Sequence, residues 1–211
     1  MRFEIAERDK RELLKRMPEF RAAVEKIELT PFEYGGDLFY ELAHSIVSQQ
    51  LAVRAAEAVF SRVKALPGGL TPRTLLAVDD ETLRGCGLSA RKVEYLRGIA
   101  RSALAGELDE ERLSQLPDAE VIERLTKLKG VGVWTAEMLL IFHFGRRDVL
   151  STGDLGVRRG LELLLHKDGF TPDELAGIRR RVSPCGTLAA LYLWHLKDGK
   201  GYKGDDCRPR G

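Results

Sequence analysis

Cysteine is scarce: Cys86, Cys185 and Cys207 are the whole supply in 211 residues, and three widely spaced thiols frame neither a disulfide scaffold nor a CxxC metal site. A reducing, cytoplasmic compartment fits that usage. Long apolar runs are missing as well. No stretch approaches the roughly 18 apolar residues that span a bilayer, and the opening MRFEIAERDKRELLKRMPEF, dotted with charges of both signs, lacks the apolar core of a secretory signal. No membrane partner is expected. Neither sign of charge dominates: the net is +2, split as −2 over residues 1–145 and +4 over residues 146–211, too small a bias to argue by itself for a nucleic-acid partner. Runs such as Arg179-Arg180-Arg181 are read first as solvated helix faces. The four histidines, His44, His143, His166 and His195, share no ligand spacing and are read as surface or packing residues. What is present, 44 % hydrophobic and 31 % charged residues with 7 % aromatics, is the make-up of a chain that folds on its own core. Nothing in it demands more than a monomer.

Strand-like alternation is rare and helical periodicity runs almost end to end, so an all-α protein is expected. Glu12 to Val24 reads as a helix interrupted near Pro18, and Thr30 to Asp37 as a loop. Asp37 precedes a periodic segment, Leu38, Leu42, Ile46 and Val47, that ends in the polar run Ser48-Gln49-Gln50. Ala52 to Leu66 resumes the helix until Pro67-Gly68-Gly69 breaks it. Short helices follow from Thr71-Pro72 and from Asp79-Asp80 to Gly85. Ser89 caps a helix whose stripe is Val93, Leu96, Ile99, Ala100 and Leu104, and Asp118 is expected to cap one that buries Val121, Ile122, Leu125 and Leu128. After Lys129-Gly130-Val131-Gly132-Val133 comes a helix with Trp134, Met138, Ile141 and Phe142 on one face. Ser151-Thr152-Gly153-Asp154 opens another that buries Val157, Leu161, Leu164 and Leu165. Helices from Thr171-Pro172 and from Ser183-Pro184 to Leu196 complete the set, and the tail from Lys197 to Gly211 is expected to fray.

Gly130 and Gly132 flank one apolar residue. Both are expected to free the backbone for positive φ and for close approach to another molecule, while Val131 plugs the space between the two helices. The N–H groups that start the following helix point out of such a loop and favour an anion, phosphate above all. The run from Leu128 to Ala136, LKGVGVWTA, resembles the LPGVGxxTA hairpin of the helix-hairpin-helix DNA glycosylase superfamily, with Lys129 in place of the usual proline. Downstream, Asp148 to Asp154, DVLSTGD, looks like the segment that ends in that superfamily's catalytic aspartate. Ile46 to Ala52, Gly87 to Leu96 and Leu188 to Trp194 are similar to segments of its 3-methyladenine DNA glycosylase II branch, so the resemblance covers about residues 38–196.

The resemblance implies two helical lobes with a DNA-binding cleft. One lobe is continuous over residues 38–145 and holds the hairpin; the other joins residues 1–37 to residues 146–211 and carries Asp154. It implies that Lys129, Gly130, Val131, Gly132 and Val133 grip a DNA phosphate, and that the main-chain carbonyls of Lys129 and Val131 hold a monovalent cation such as Na⁺ or K⁺. It implies a wedge at Gln50 or Leu51, which fills the gap left by an extruded base. Double-stranded DNA with alkylated bases becomes the expected partner, at the nucleoid of a bacterial-type cell.

Breaking an N-glycosidic bond builds positive charge on the sugar, so a buried anion beside C1′ lowers the barrier. Asp154 can supply that anion or activate the attacking water, and the sequence leaves both roles open. An alkylated purine already carries positive charge and leaves neutral, so no second carboxyl acid is required. Bifunctional members of the superfamily place a lysine two residues after the second hairpin glycine to form a Schiff base. Here that position is Trp134, which implies base removal without strand cleavage and offers an indole, with Met138 and Cys185, to line the base pocket. Cys185 stands where relatives commonly carry an aromatic residue, and its small size suggests room for bulky lesions such as ethenoadenine. No further cofactor is implied, and the four-cysteine iron-sulfur loop of other branches is missing. Two alternatives stay open: a glycosylase for uracil, mismatched or oxidised bases, and a non-catalytic helix-hairpin-helix DNA-binding module.

Overall fold

The computed structural model describes residues 1–198; Cys207 and all but the start of the tail lie outside the described residues. In chain order the elements are β1 (Arg2–Phe3), α1 (Glu7–Arg16), a 3-10 turn (Pro18–Phe20), α2 (Arg21–Lys26), β2 (Phe32–Glu33), α3 (Leu38–Ser48) and α4 (Val53–Lys64). Then follow α5 (Pro72–Ala77), α6 (Asp80–Gly85), α7 (Ala90–Leu104), α8 (Glu110–Ser114) and α9 (Asp118–Thr126). The last are α10 (Val133–Phe142), α11 (Leu155–Leu165), α12 (Pro172–Val182) and α13 (Gly186–Asp198). Among the described residues the all-α expectation holds apart from one antiparallel pair that aligns Arg2 with Glu33 and Phe3 with Phe32.

The chain forms two compact units. Gly36–Leu139 is one, and Met1–Gly35 joins the described chain from Leu140 onward to make the other. The division falls inside α10, which begins in one unit and ends in the other. That helix was expected to bury one face. Instead Ala136, Glu137, Met138, Leu139, Leu140 and Ile141 are all buried in succession, as in a helix enclosed on every side.

Within Gly36–Leu139, the helix starts follow their caps. Asp37, Thr71, Asp79, Ser89 and Asp109 each accept a main-chain N–H three residues on, which satisfies a donor the helix leaves over. Asp118 departs from expectation. Pro117 is the cap and Asp118 the first residue of α9, where its charge still faces the positive end of the helix. Leu104 also departs: it lies in the last turn of α7, past the core, and is 52 % exposed. In the stripe itself, Val93, Leu96, Ile99 and Ala100 are buried, and α7 packs on both α3 and α5.

In the other unit, α11 packs extensively on α13. The reason is glycine. A Cβ at Gly160 would sit 2.4 Å from the Leu193 carbonyl oxygen, and one at Gly156 would sit 2.7 Å from Trp194 Cδ1, so two bare positions one turn apart let the helices close on each other. Phe3 stacks on Phe32 at 4.7 Å, and the Arg147 guanidinium lies 4.6 Å over the Phe3 ring while it also binds the Glu4 carbonyl and the Asp9 carboxylate.

Helix α13 is buried from Gly186 to His195. Tyr192 is fully enclosed there with its ring 6.4 Å from Phe20, and its hydroxyl meets no hydrogen-bond partner among the described residues. Burial first, and the Glu7 carboxylate second, push the phenol up to about 12, so it stays neutral. A hydroxyl kept dry without a partner costs about 1–3 kcal/mol. Tyr192→Phe is therefore expected to match or exceed the wild type in stability, by up to about 1 kcal/mol in a denaturant melt. A clear loss would show that the hydroxyl is satisfied after all.

Candidate active site

Asp154 stands where an extended residue turns into α11. It has the cap conformation, φ −73° and ψ 129°, and its Oδ1 accepts the Val157 N–H at 2.7 Å. Capping alone would leave the side chain at the surface. Here it is 8 % exposed, because the Trp194 indole N–H donates to the same Oδ1 at 2.7 Å. The indole is itself held by Phe142, whose ring stacks at 5.9 Å and 26°, and by the bare Cα of Gly156. The carboxyl group is thus set by two N–H donors from two different helices, with one oxygen fixed and the side chain buried.

The segment that delivers Asp154 is stitched to the start of α13. Asp148 accepts the Gly186 N–H on Oδ1 at 3.0 Å and the Ser183 hydroxyl on Oδ2 at 2.6 Å. Thr187 donates its hydroxyl to the Arg146 carbonyl at 2.7 Å and accepts the Val149 N–H at 3.1 Å. Gly186 is required there, since its Cβ would fall 2.9 Å from the Asp148 carbonyl carbon. One helix therefore positions the acid twice, through the loop at its beginning and through Trp194 two turns later. On the approach, Ser151 is buried, and Arg158 Nε binds the Thr152 carbonyl at 2.8 Å.

In the other unit, the hairpin after α9 behaves in part as expected. Val131 is 5 % exposed and fills the space inside the turn. Gly130 takes φ +89°, and a Cβ on it would lie 2.3 Å from Tyr95 Cδ2, so the Tyr95 ring presses directly on its Cα. Gly132 differs from expectation. It has no positive φ, because it caps α10 with its carbonyl accepting the Ala136 N–H at 3.0 Å. A Cβ there would meet nothing within 4 Å, so the room that this glycine leaves lies outside the chain. Val133 follows with 55 % exposure, and the first N–H groups of α10 have no carbonyl partner within the helix. Lys129 reaches away from it to Glu94 at 2.8 Å, which raises the ammonium and lowers the carboxyl in pKa.

Also in that unit, α3 ends in a tight turn over residues 49–51. Gln50 is exposed at its tip and sits at φ +58°, one of only two non-glycine residues among those described with positive φ. Leu51 is half-buried and its N–H returns to the Ser48 carbonyl at 3.2 Å. The side chain of Gln49 donates to the Gly130 carbonyl at 2.7 Å, so this turn and the hairpin touch.

Trp134 and Met138 lie one turn apart on α10, half-buried and 8 % exposed. Cys185 is different. Its Sγ donates to the Asp9 carbonyl at 3.5 Å beside α1, and burial and the nearby carboxylates raise the thiol's pKa. Its surroundings give no support to the expectation that a small residue here widens a base pocket. His44 packs edge-on against Phe60 at 4.7 Å, and His143 against Phe144 at 4.9 Å. No cluster of three or more His, Cys, Asp or Glu side chains gathers to hold a metal among the described residues. Sequence reasoning did not single out Trp194, Gly156, Gln49 or Lys92 as site residues. The family-like runs Ile46 to Ala52, Gly87 to Leu96 and Leu188 to Trp194 contain Gln49, Lys92 and Trp194, and none of them says what those side chains meet.

The model for the family described as HhH-GPD superfamily base excision DNA repair protein matches residues 43–184. DNA-3-methyladenine glycosylase 1 of Schizosaccharomyces pombe is 39 % identical over 162 residues, which are 74 % of this chain and 71 % of that protein. The crystal structure of a DNA-3-methyladenine glycosidase from Bacillus halodurans superposes with a TM-score of 0.84 at 35 % identity, over 93 % of this chain and 92 % of that one. A Schizosaccharomyces pombe 3-methyladenine DNA glycosylase in complex with abasic DNA gives a TM-score of 0.75 at 32 % identity, over 93 % and 99 %.

Proposed function

The chain belongs to the HhH-GPD superfamily of base excision DNA repair proteins, and from that premise we propose that it is a monofunctional DNA glycosylase which removes alkylated bases such as 3-methyladenine from double-stranded DNA. The observation that carries the reading is Asp154, a buried carboxylate held by the Trp194 indole and the Val157 amide. A preorganised anion of this kind needs no rearrangement as charge develops on the sugar. The C1′–N bond breaks with its electron pair going to the base, and the cationic alkylated purine leaves neutral. Water adds to C1′ and loses a proton, and Asp154 either stabilises the cation or takes that proton. Hydrolysis transfers no electrons between redox states, so no redox cofactor is called for.

Trp134 carries no amine for a Schiff base, so the product strand should stay intact until alkali is added. Its indole, with Met138 in the next turn, offers a face on which an electron-poor base can stack, worth roughly 0.5–2 kcal/mol. The hairpin supplies the phosphate grip through main-chain N–H groups, with Gly132 bare on its outer side. The neutral carbonyls of Lys129 and Val131 suit a hard monovalent cation, since the Lys129 ammonium is engaged by Glu94. Such an ion would add positive charge beside the phosphate. A single chain suffices for this work, which the substrate locates at chromosomal DNA in the cytoplasm of a bacterial-type cell.

Of the two wedge candidates, Gln50 is exposed and backbone-strained, whereas Leu51 is partly committed to packing. Strain of this kind costs about 1–3 kcal/mol and persists where the surroundings impose it. Gln50→Gly should relieve the strain and leave thermal stability equal or higher, yet slow base release by roughly tenfold because nothing fills the gap. A variant that loses stability and keeps its rate would remove Gln50 from this role.

The decisive experiment is mass analysis of the bases released from methylated duplex DNA, with strand integrity read before and after alkali. Release of 3-methyladenine with intact strands supports the proposal. Release of uracil or mismatched bases alone, strand scission before alkali, or DNA binding without any release would overturn it.

A further inference from the structure

We infer that Gln49 is a positioning residue that, together with Lys92, ties the Gln50 turn to the hairpin and so makes extrusion of the base depend on the grip on the phosphate. This rests on the reading of Gln50 and the hairpin given above. Helix α3 ends with carbonyls that have no partner in the helix. Lys92 Nζ donates to two of the main-chain oxygens there, Val47 O at 2.6 Å and Gln49 O at 2.7 Å, and its positive charge sits at the negative end of the helix. Desolvation lowers its pKa, the mark of an ammonium drawn out of water to make these bonds.

Lys92 lies in the first turn of α7, where its N–H is accepted by the Ser89 cap. The same turn holds the hairpin: Glu94 binds Lys129, and the Tyr95 ring presses on Gly130. Gln49 closes the circuit from the other direction, its Nε2 on the Gly130 carbonyl at 2.7 Å. Three anchors, Lys92, Glu94 and Tyr95, and one direct strut therefore join two segments 81 residues apart in sequence. The left-handed backbone at Gln50 lies next to the strut, and a strained residue needs neighbours that over-determine it. Gln49 and Lys92 supply that constraint, because each holds the residue immediately before the strained one.

Gln49→Met keeps nearly the volume of the side chain and removes its donor. With dimethyl-sulfate-treated duplex DNA, single-turnover base release by this variant should slow roughly tenfold. The fluorescence rise of 2-aminopurine placed beside a flipped base should be lost. Affinity for undamaged duplex and the melting temperature should stay at wild-type values, since the hairpin and the core are intact. Lys92→Met should behave likewise, and Lys92→Arg, which keeps charged donors, should restore the flipping signal. Wild-type release and fluorescence from Gln49→Met would overturn the inference, as would a parallel loss of undamaged-DNA affinity and melting temperature, which marks general collapse. A wild-type protein that releases no methylated base overturns the glycosylase reading instead, and the 2-aminopurine signal still separates the two failures.

Discussion

Asp154→Asn is expected to reduce base release from alkylated DNA by roughly 100- to 1000-fold while the fold and DNA binding survive. The substitution is clean for structural reasons. Asparagine caps a helix as well as aspartate does, and its amide oxygen can still accept the Val157 N–H and the Trp194 indole N–H that meet Oδ1. What disappears is the negative charge, in a place that is 8 % exposed and where charge acts through little water. Single-turnover release and affinity for abasic DNA, measured on the same preparation, separate the two effects. A rate within tenfold of wild type would mean that the carboxylate is a cap and nothing more.

Gly130→Ala should be the most damaging change in the hairpin. The residue would have to hold φ +89°, which costs about 1–3 kcal/mol for a side-chain-bearing residue. Its Cβ would also lie 2.3 Å from Tyr95 Cδ2, within a ring whose own Cγ is 2.8 Å away, so the hairpin and α7 must part. Affinity for duplex DNA of any sequence should fall roughly 10- to 100-fold, together with a lower melting temperature. The neighbouring change is diagnostic. Gly132→Ala meets no atom of the protein within 4 Å, so it should fold normally and still bind DNA more weakly, because the methyl group would stand in the proposed path of the phosphate. Full affinity in Gly132→Ala would place the phosphate elsewhere.

These contrasts mark how far the sequence could be read. The hairpin, the cap at Asp154 and the helix starts at Asp37, Thr71, Asp79 and Ser89 are local: each is determined by residues within one turn, and periodicity with capping chemistry exposes them. Gly132 shows the limit even within a motif, since two glycines in GVG serve different ends, one a left-handed backbone and the other open space. The second partner of Asp154 was illegible because it comes from Trp194, 40 residues away. Gly156 and Gly160 are spaced for close helix packing, yet a sequence does not say which helix will come near. Gln49 reads as part of a polar break and Lys92 only as one residue of a family-like run, and only folding brings them to main-chain oxygens. The contact of Cys185 was illegible for a related reason: its neighbour is the backbone of α1, more than 170 residues earlier. The apolar α10 misled in another way, because periodicity finds one buried face and has no means of describing a helix buried all round.

The chain contains two tryptophans, Trp134 and Trp194. One lies in the first turn of the helix that leaves the glycine turn, and the other donates its indole N–H to Asp154. Near-ultraviolet excitation chosen to spare tyrosine therefore addresses the start of α10 and the surroundings of Asp154. Nature has labelled it at the two positions an experimenter would have picked, and its own emission can follow each encounter with DNA without an attached dye.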